Sequence, residues 1–97
     1  MSDPIPLYPT PTRLRLLRSV DRGRVVRLPD GESRDYDPEG RFFTVTDRVR
    51  ELARHRWVRI GGPLPGAPKP SQRDWRQWET TDLGSTVLAE HGAPDAA

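Results

Sequence analysis

The sequence predicts a small α+β domain of about three helices, with a short β-hairpin after the first helix and a longer two-stranded hairpin after the next. Three observations lead there. At 97 residues the chain has room for one thin core. Thr44 to Gly84 reads as an amphipathic helix (TVTDRVRELARH), a strand (WVRI), a Gly/Pro-rich loop, a return strand (WRQW) and the start of another helix (TTDLGSTVL). Upstream of it, two short runs flank the turn signal Pro29, Asp30, Gly31.

Residues 1–9 carry Pro4, Pro6 and Pro9, whose fixed φ and missing N–H favour an extended arm outside the domain. The domain itself is expected over residues 10–91, with 92–97 as a disordered tail. Thr10 is a good N-cap with Pro11 at the first helical position. Leu14, Leu17 and Val20 recur at spacings of three, Leu16 widens the stripe, and Gly23 supplies a left-handed stop. Arg24 to Leu28 and Ser33 to Asp37 form the short hairpin. Asp37 to Gly40 makes a second turn, after which Phe42 or Phe43 is expected to fill the core.

Thr44 with Asp47 three residues on gives a capping-box-like helix start, and Val45, Val49, Leu52 and Ala53 mark the buried face. The helix should end near His55, since Arg56 would turn back to the apolar side. Trp57, Val58 and Ile60 open a strand. Gly61 to Asp74 is a loop held open by Pro63, Pro65, Pro68 and Pro70, and Trp75 and Trp78 mark the strand that returns from it. Strand placement favours core or cross-strand packing for the tryptophans over base stacking. Thr80 or Thr81 caps a last helix with Leu83, Val87 and Leu88 as its apolar positions, and Gly92 ends it.

Composition removes several function classes. With no Cys and only His55 and His91, thiolate metal sites and disulfides are excluded and a histidine-based metal site would need carboxylates. No Ser/His/Asp grouping or phosphate-cradling Gly motif occurs, so neither enzymatic chemistry nor a cofactor is expected. Asp30, Glu32, Asp35, Asp37 and Glu39 read as a solvated hairpin. No apolar run approaches the ~20 residues of a membrane span. MSDPIPLY also lacks the regions of a signal peptide, so a cytoplasmic protein without membrane contact is expected.

The net charge is only +2, but its distribution is uneven. Thr10 to Arg27 and Arg41 to Ile60 are strongly basic, whereas Leu28 to Gly40 and Glu79 to Ala97 are acidic. Such asymmetry suits a protein that turns one face to nucleic acid.

VTDRVRELARHRWVRI, the loop and WETTDLGSTVL together resemble the winged helix-turn-helix family of bacterial and phage transcription regulators, in which a helix of the form "T..RV.EL...GWV" is followed by a wing and "W.LT..G..VL". The likeness covers Thr44 to Leu88. Arg56 stands where the family usually has Gly, Thr80 where it has Leu, and a hairpin occupies the place of the family's supporting helix. The resemblance implies a winged-helix-like domain that binds double-stranded DNA. It places Thr46 at the phosphates, Arg48, Arg50 and Arg54 on the helix entering the major groove, and Lys69, Gln72 and Arg73 on the wing. One module buries only ~600 to 1,000 Å², so a homodimer on a two-fold site is the expected working form. The alternative is a winged-helix adaptor that binds another protein, through the Pro-rich arm or through the exposed strand edge of residues 24–37.

Overall fold

The computed structural model describes residues 7–66 and 69–91, so the Pro-rich start to residue 6, Pro68 and the tail 92–97, with Gly92, lie outside the described residues. The elements are α1 (Pro11–Asp21), β1 (Val25–Arg27), β2 (Ser33–Tyr36), β3 (Phe42–Thr44), α2 (Thr46–Arg54), β4 (Val58–Pro63), a 3₁₀ turn at Pro70–Gln72, β5 (Arg76–Thr80) and α3 (Asp82–His91). The strands form one antiparallel sheet in the order β3-β2-β1-β5-β4.

Local chemistry sets the first third as expected. The Thr10 hydroxyl accepts the Arg13 N–H at 3.2 Å, Pro11 opens α1, and Gly23 leaves it at φ 75°. The β1–β2 hairpin turns at Pro29 and Asp30, where the Asp30 carboxylate accepts the Glu32 N–H. Leu16, Leu17 and Val20 of α1 then meet Val25, Val45, Val49, Leu52, Trp57, Val58 and Trp78 in one core, so α1 and α2 share one face of the sheet. Ser33 is the one polar side chain buried in the described core, and its hydroxyl accepts from the Trp78 indole at 3.0 Å.

Long-range pairing overrode the local pattern at several points. The hairpin and the "wing" are not separate: β1 pairs with β2 on one side and with β5 on the other, through Val26 to Gln77. Both strands of residues 24–37 are therefore interior, and the hairpin offers no free strand edge to a partner. Phe42 and Phe43 do not fill the core. They belong to a third strand at the sheet edge, 44% and 68% exposed, while Trp57 and Trp78 occupy the interior. The register Tyr36 to Phe42 turns Phe42 onto the face away from the helices.

Helix α2 begins two residues later than Thr44. Thr44 pairs with Arg34 as a strand residue, Val45 is the N-cap without a side-chain hydrogen bond, and the Thr46 hydroxyl ties the helix start to β2 by accepting the Ser33 N–H at 3.0 Å. The helix stops at His55, and Arg56 takes φ 64°, the left-handed conformation that Gly would adopt at least cost. Gly61 to Pro63 extend β4 rather than opening the loop. In α3 the Thr81 hydroxyl caps the Gly84 N–H and donates to the Arg56 carbonyl. Leu83 is 48% exposed, so the apolar side of α3 is Val87, Leu88 and the buried Gly84.

Candidate nucleic-acid interface

The strand register defines one end of the sheet from which the basic segments leave. Thr44 lies opposite Arg34, Ser33 opposite Arg27, Arg27 opposite Arg76 and Arg76 opposite Pro63. Three connections emerge beyond this row: the β1–β2 turn, the start of α2, and the β4–β5 connection with Lys69, Gln72 and Arg73. Directly opposed residues of an antiparallel pair point to the same face. Arg27 and Arg76 therefore stand side by side, on the face that carries Trp78 and the helices.

Helix α2 presents its arginines in two directions. Arg48 lines a cleft toward α1 with Thr10, Thr12, Arg13, Leu16, Glu51 and Leu52. Arg50 and Arg54 line a shallow groove with Asp47 and Ala53. The Arg50 guanidinium also reaches the β1–β2 turn, with Nη2 3.6 Å from where a Cβ on Gly31 would sit. Glu51, which the helix repeat would pair with His55, instead forms an ion pair with Arg13 of α1 at 2.9 Å. The hydrogen bond from Arg13 is the main cause of a lowered Glu51 pKa, against some desolvation and with further help from Arg54 and His55. One carboxylate of α2 is thus neutralised from the neighbouring helix.

Ion pairing divides the basic residues into two groups. Arg13 is held by Glu51, Arg34 by Glu32, Arg41 by Asp37 and Glu39, and Arg59 by Glu79. Arg15, Arg24, Arg27, Arg48, Arg50, Arg54, Arg56, Lys69, Arg73 and Arg76 have no carboxylate within 4.0 Å among the described residues. Six of them, Arg27, Arg50, Arg54, Lys69, Arg73 and Arg76, belong to the end row, its connections and the Arg50 groove. A like-charged pair directly across two strands is destabilising on its own, so Arg27 and Arg76 form a spot where an anion would be welcome.

Two of the expected contacts are already used by the fold. Thr46 accepts from Ser33, and the Gln72 amide oxygen accepts the Lys69 N–H at 3.2 Å, closing the 3₁₀ turn. The sequence did not single out Arg27 and Arg76. Each sits in a short strand, and only the β1–β5 register, spanning about half the chain, brings them together.

The hairpin acids are each engaged within the chain. Glu32 binds Arg34, and Asp37 accepts from the Glu39 and Arg41 N–H groups and the Arg41 guanidinium. Desolvation would raise the Asp37 pKa, but these hydrogen bonds outweigh it and leave it lowered. Asp35 moves the other way: burial raises its pKa, against a hydrogen bond from Ser19 and the charge of Arg24. Among the described residues no group of His and carboxylates is placed to hold a metal ion, and no helix is long and apolar enough to cross a membrane.

On the sheet face away from the helices, Arg34 stacks over the Phe42 ring at 4.2 Å and lies 5.7 Å from Trp75, with Tyr36 between the two rings. Comparison with family models, curated proteins and solved structures gives no match to this chain.

Proposed function

We propose that this chain is a small domain that binds duplex DNA with the basic end of its sheet and the outer groove of α2, in the manner of a transcription regulator and without cofactor or chemistry. The observation that carries the reading is the partition of cations. Arg27, Arg50, Arg54, Lys69, Arg73 and Arg76 lack carboxylate partners, and of the paired arginines only Arg34 belongs to the end row, held by Glu32 on the sheet face away from the helices. Arg50 and Arg54 are the base readers, because a guanidinium on an exposed helix face suits the guanine edge in the major groove. Arg27, Arg76, Lys69 and Arg73 grip phosphates, which fixes orientation without reading sequence. Thr46 and Gln72 contribute indirectly, by anchoring α2 and the loop turn.

Support for the winged-helix reading comes from the order of α2, β4, loop, β5 and α3. Between α1 and α2 the chain runs as β2 and β3, so α2 is braced by the sheet and by Arg13 rather than by a preceding helix. The adaptor reading draws on a different feature, the face formed by Tyr36, Phe42, Trp75 and Arg34, and would leave the unpaired cations without a role.

A mobility shift on genomic duplex fragments at low salt tests the proposal. With four cations gripping phosphates, log K should fall against log salt with a slope of roughly −3 to −4. Absence of any shift at ~50 mM salt, where such a slope gives its strongest binding, overturns the reading.

A further inference from the structure

We propose that Asp47 is a specificity-determining residue, which accepts the N4–H of a cytosine in the major groove beside guanines read by Arg50 and Arg54. This inference rests on the DNA reading and adds the class of sequence that α2 selects. Its starting point is a carboxylate among cations. Asp47, Arg50, Ala53 and Arg54 line one shallow groove, and Asp47 is exposed there without an ion pair among the described residues. The other carboxylate of α2, Glu51, is neutralised by Arg13, so Asp47 alone is left open to a partner outside the chain. A groove that only held phosphates would do better without this charge, since it repels the backbone.

Helical spacing aligns Asp47 with the two arginines. Positions i, i+3 and i+7 form one stripe, and at 1.5 Å rise per residue the stripe from Asp47 to Arg54 is ~10.5 Å long. That length covers about three base-pair steps of ~3.4 Å. The three heads therefore face neighbouring base pairs when α2 lies along the major groove, much as the spaced reading positions of a zinc finger do. Ala53, beside the stripe, adds only a methyl and lets the helix approach the base edges.

The chemistry of each head names its base. A guanidinium donates twice, to O6 and N7 of guanine. An ionised carboxylate only accepts, and in the major groove only cytosine N4 and adenine N6 donate, whereas guanine and thymine present acceptors that repel it. Adenine sets its N7 acceptor beside N6, so cytosine is the better match. The stripe thus selects a G·C-rich element of three to four pairs, and Asp47 acts by rejecting wrong bases as much as by attracting the right one. A first-turn carboxylate also suits the dipole of α2, whose N-cap Val45 makes no side-chain hydrogen bond. That role would move stability and leave base preference alone.

Selection by the full-length protein from duplexes with a randomised core of ~10 pairs, followed by titration of single sites, separates the two roles. The wild type should enrich a cytosine within three or four pairs of its guanines, and changing that pair to T·A should cost ~10-fold in affinity. Asp47→Asn should keep the guanines but exchange the cytosine for adenine, whose N6 and N7 an amide engages together. Asp47→Ala should lose preference at that pair alone and bind random duplex more tightly. Base preference that is absent, or the same in wild type and both variants, overturns the proposal while leaving DNA binding in place. So does an equal loss of affinity for all duplexes in both variants, which would make Asp47 a helix-start residue. A wild type that binds no duplex overturns the DNA reading and this inference with it.

Discussion

Replacing Arg76 by Gln should make the protein more stable and bind DNA more weakly. Arg76 and Arg27 are directly opposed across β1 and β5, and neither has a carboxylate within 4.0 Å among the described residues. Like charges at such a site cost ~0.2 to 1 kcal/mol, and at their exposure the lower half is the better guide. Removing one should therefore raise stability by ~0.5 kcal/mol, or ~2 to 4 °C in Tm for a domain of this size. The gain should shrink as salt screens the repulsion, with the Debye length falling from ~10 Å at 0.1 M to ~3 Å at 1 M. In DNA binding the same change removes one phosphate contact, lowering affinity on the order of tenfold at 0.1 M salt and making the salt slope less steep by ~0.9. Urea denaturation at two salt concentrations and anisotropy titration of a labelled duplex measure both effects. A less stable Arg76→Gln would mean that Arg76 serves the fold, and an unchanged affinity would take the cross-strand pair out of the interface.

Two further substitutions test the backbone with opposite signs. Gly84→Ala should destabilise by more than ~2 kcal/mol in urea denaturation despite the better helix propensity of Ala, because its Cβ would lie 2.0 Å from the Trp57 carbonyl oxygen; a neutral result would refute this close approach. Arg56→Gly should stabilise by ~0.5 to 1 kcal/mol, the cost of φ 64° for a side chain being only partly offset by the freedom of Gly in the unfolded chain, and a loss of stability would show that the Arg56 side chain matters more. Asp35→Asn tests burial through pH. Because the folded pKa of Asp35 is raised, its ionisation opposes folding above that pKa and has no effect below the unfolded value of about 3.9. The variant's stability advantage should thus be present at pH 7 and vanish near pH 3, and a pH-independent difference would refute it.

What the sequence revealed was whatever a few neighbouring residues decide. Thr10, Pro11 and Gly23 bound α1, Pro29 to Gly31 turn the first hairpin, and the Val49 and Leu52 spacing orients α2. The end of α2 at His55 was legible too, whereas the left-handed conformation of Arg56 was not, because nothing in an Arg side chain signals it. Phe42, Phe43 and Thr44 hid their strand because three residues show no alternation, and their exposure depends on the core volume taken by Trp57 and Trp78. Sheet order is likewise decided between distant segments, by Val26 meeting Gln77. The candidate site follows the same division. The exposed arginines of α2 were visible from helical period, whereas the Arg27 and Arg76 pair and the Arg13 to Glu51 bridge required the assembled sheet and helices.

The central claim is that DNA is held at one place by unpaired cations, rather than by charge in general. The most direct measurement is an anisotropy titration of one duplex at fixed salt with two double variants that remove equal charge. Arg50→Ala with Arg54→Ala empties the α2 groove. Arg41→Ala with Arg59→Ala removes two guanidiniums, 73% and 69% exposed, that are already held by carboxylates. At ~1 to 3 kcal/mol per base-reading arginine, the first pair should lose at least ~30-fold in affinity. The second pair should stay within ~3-fold of wild type, because its charges are already neutralised within the chain. Equal losses in the two variants would contradict the account.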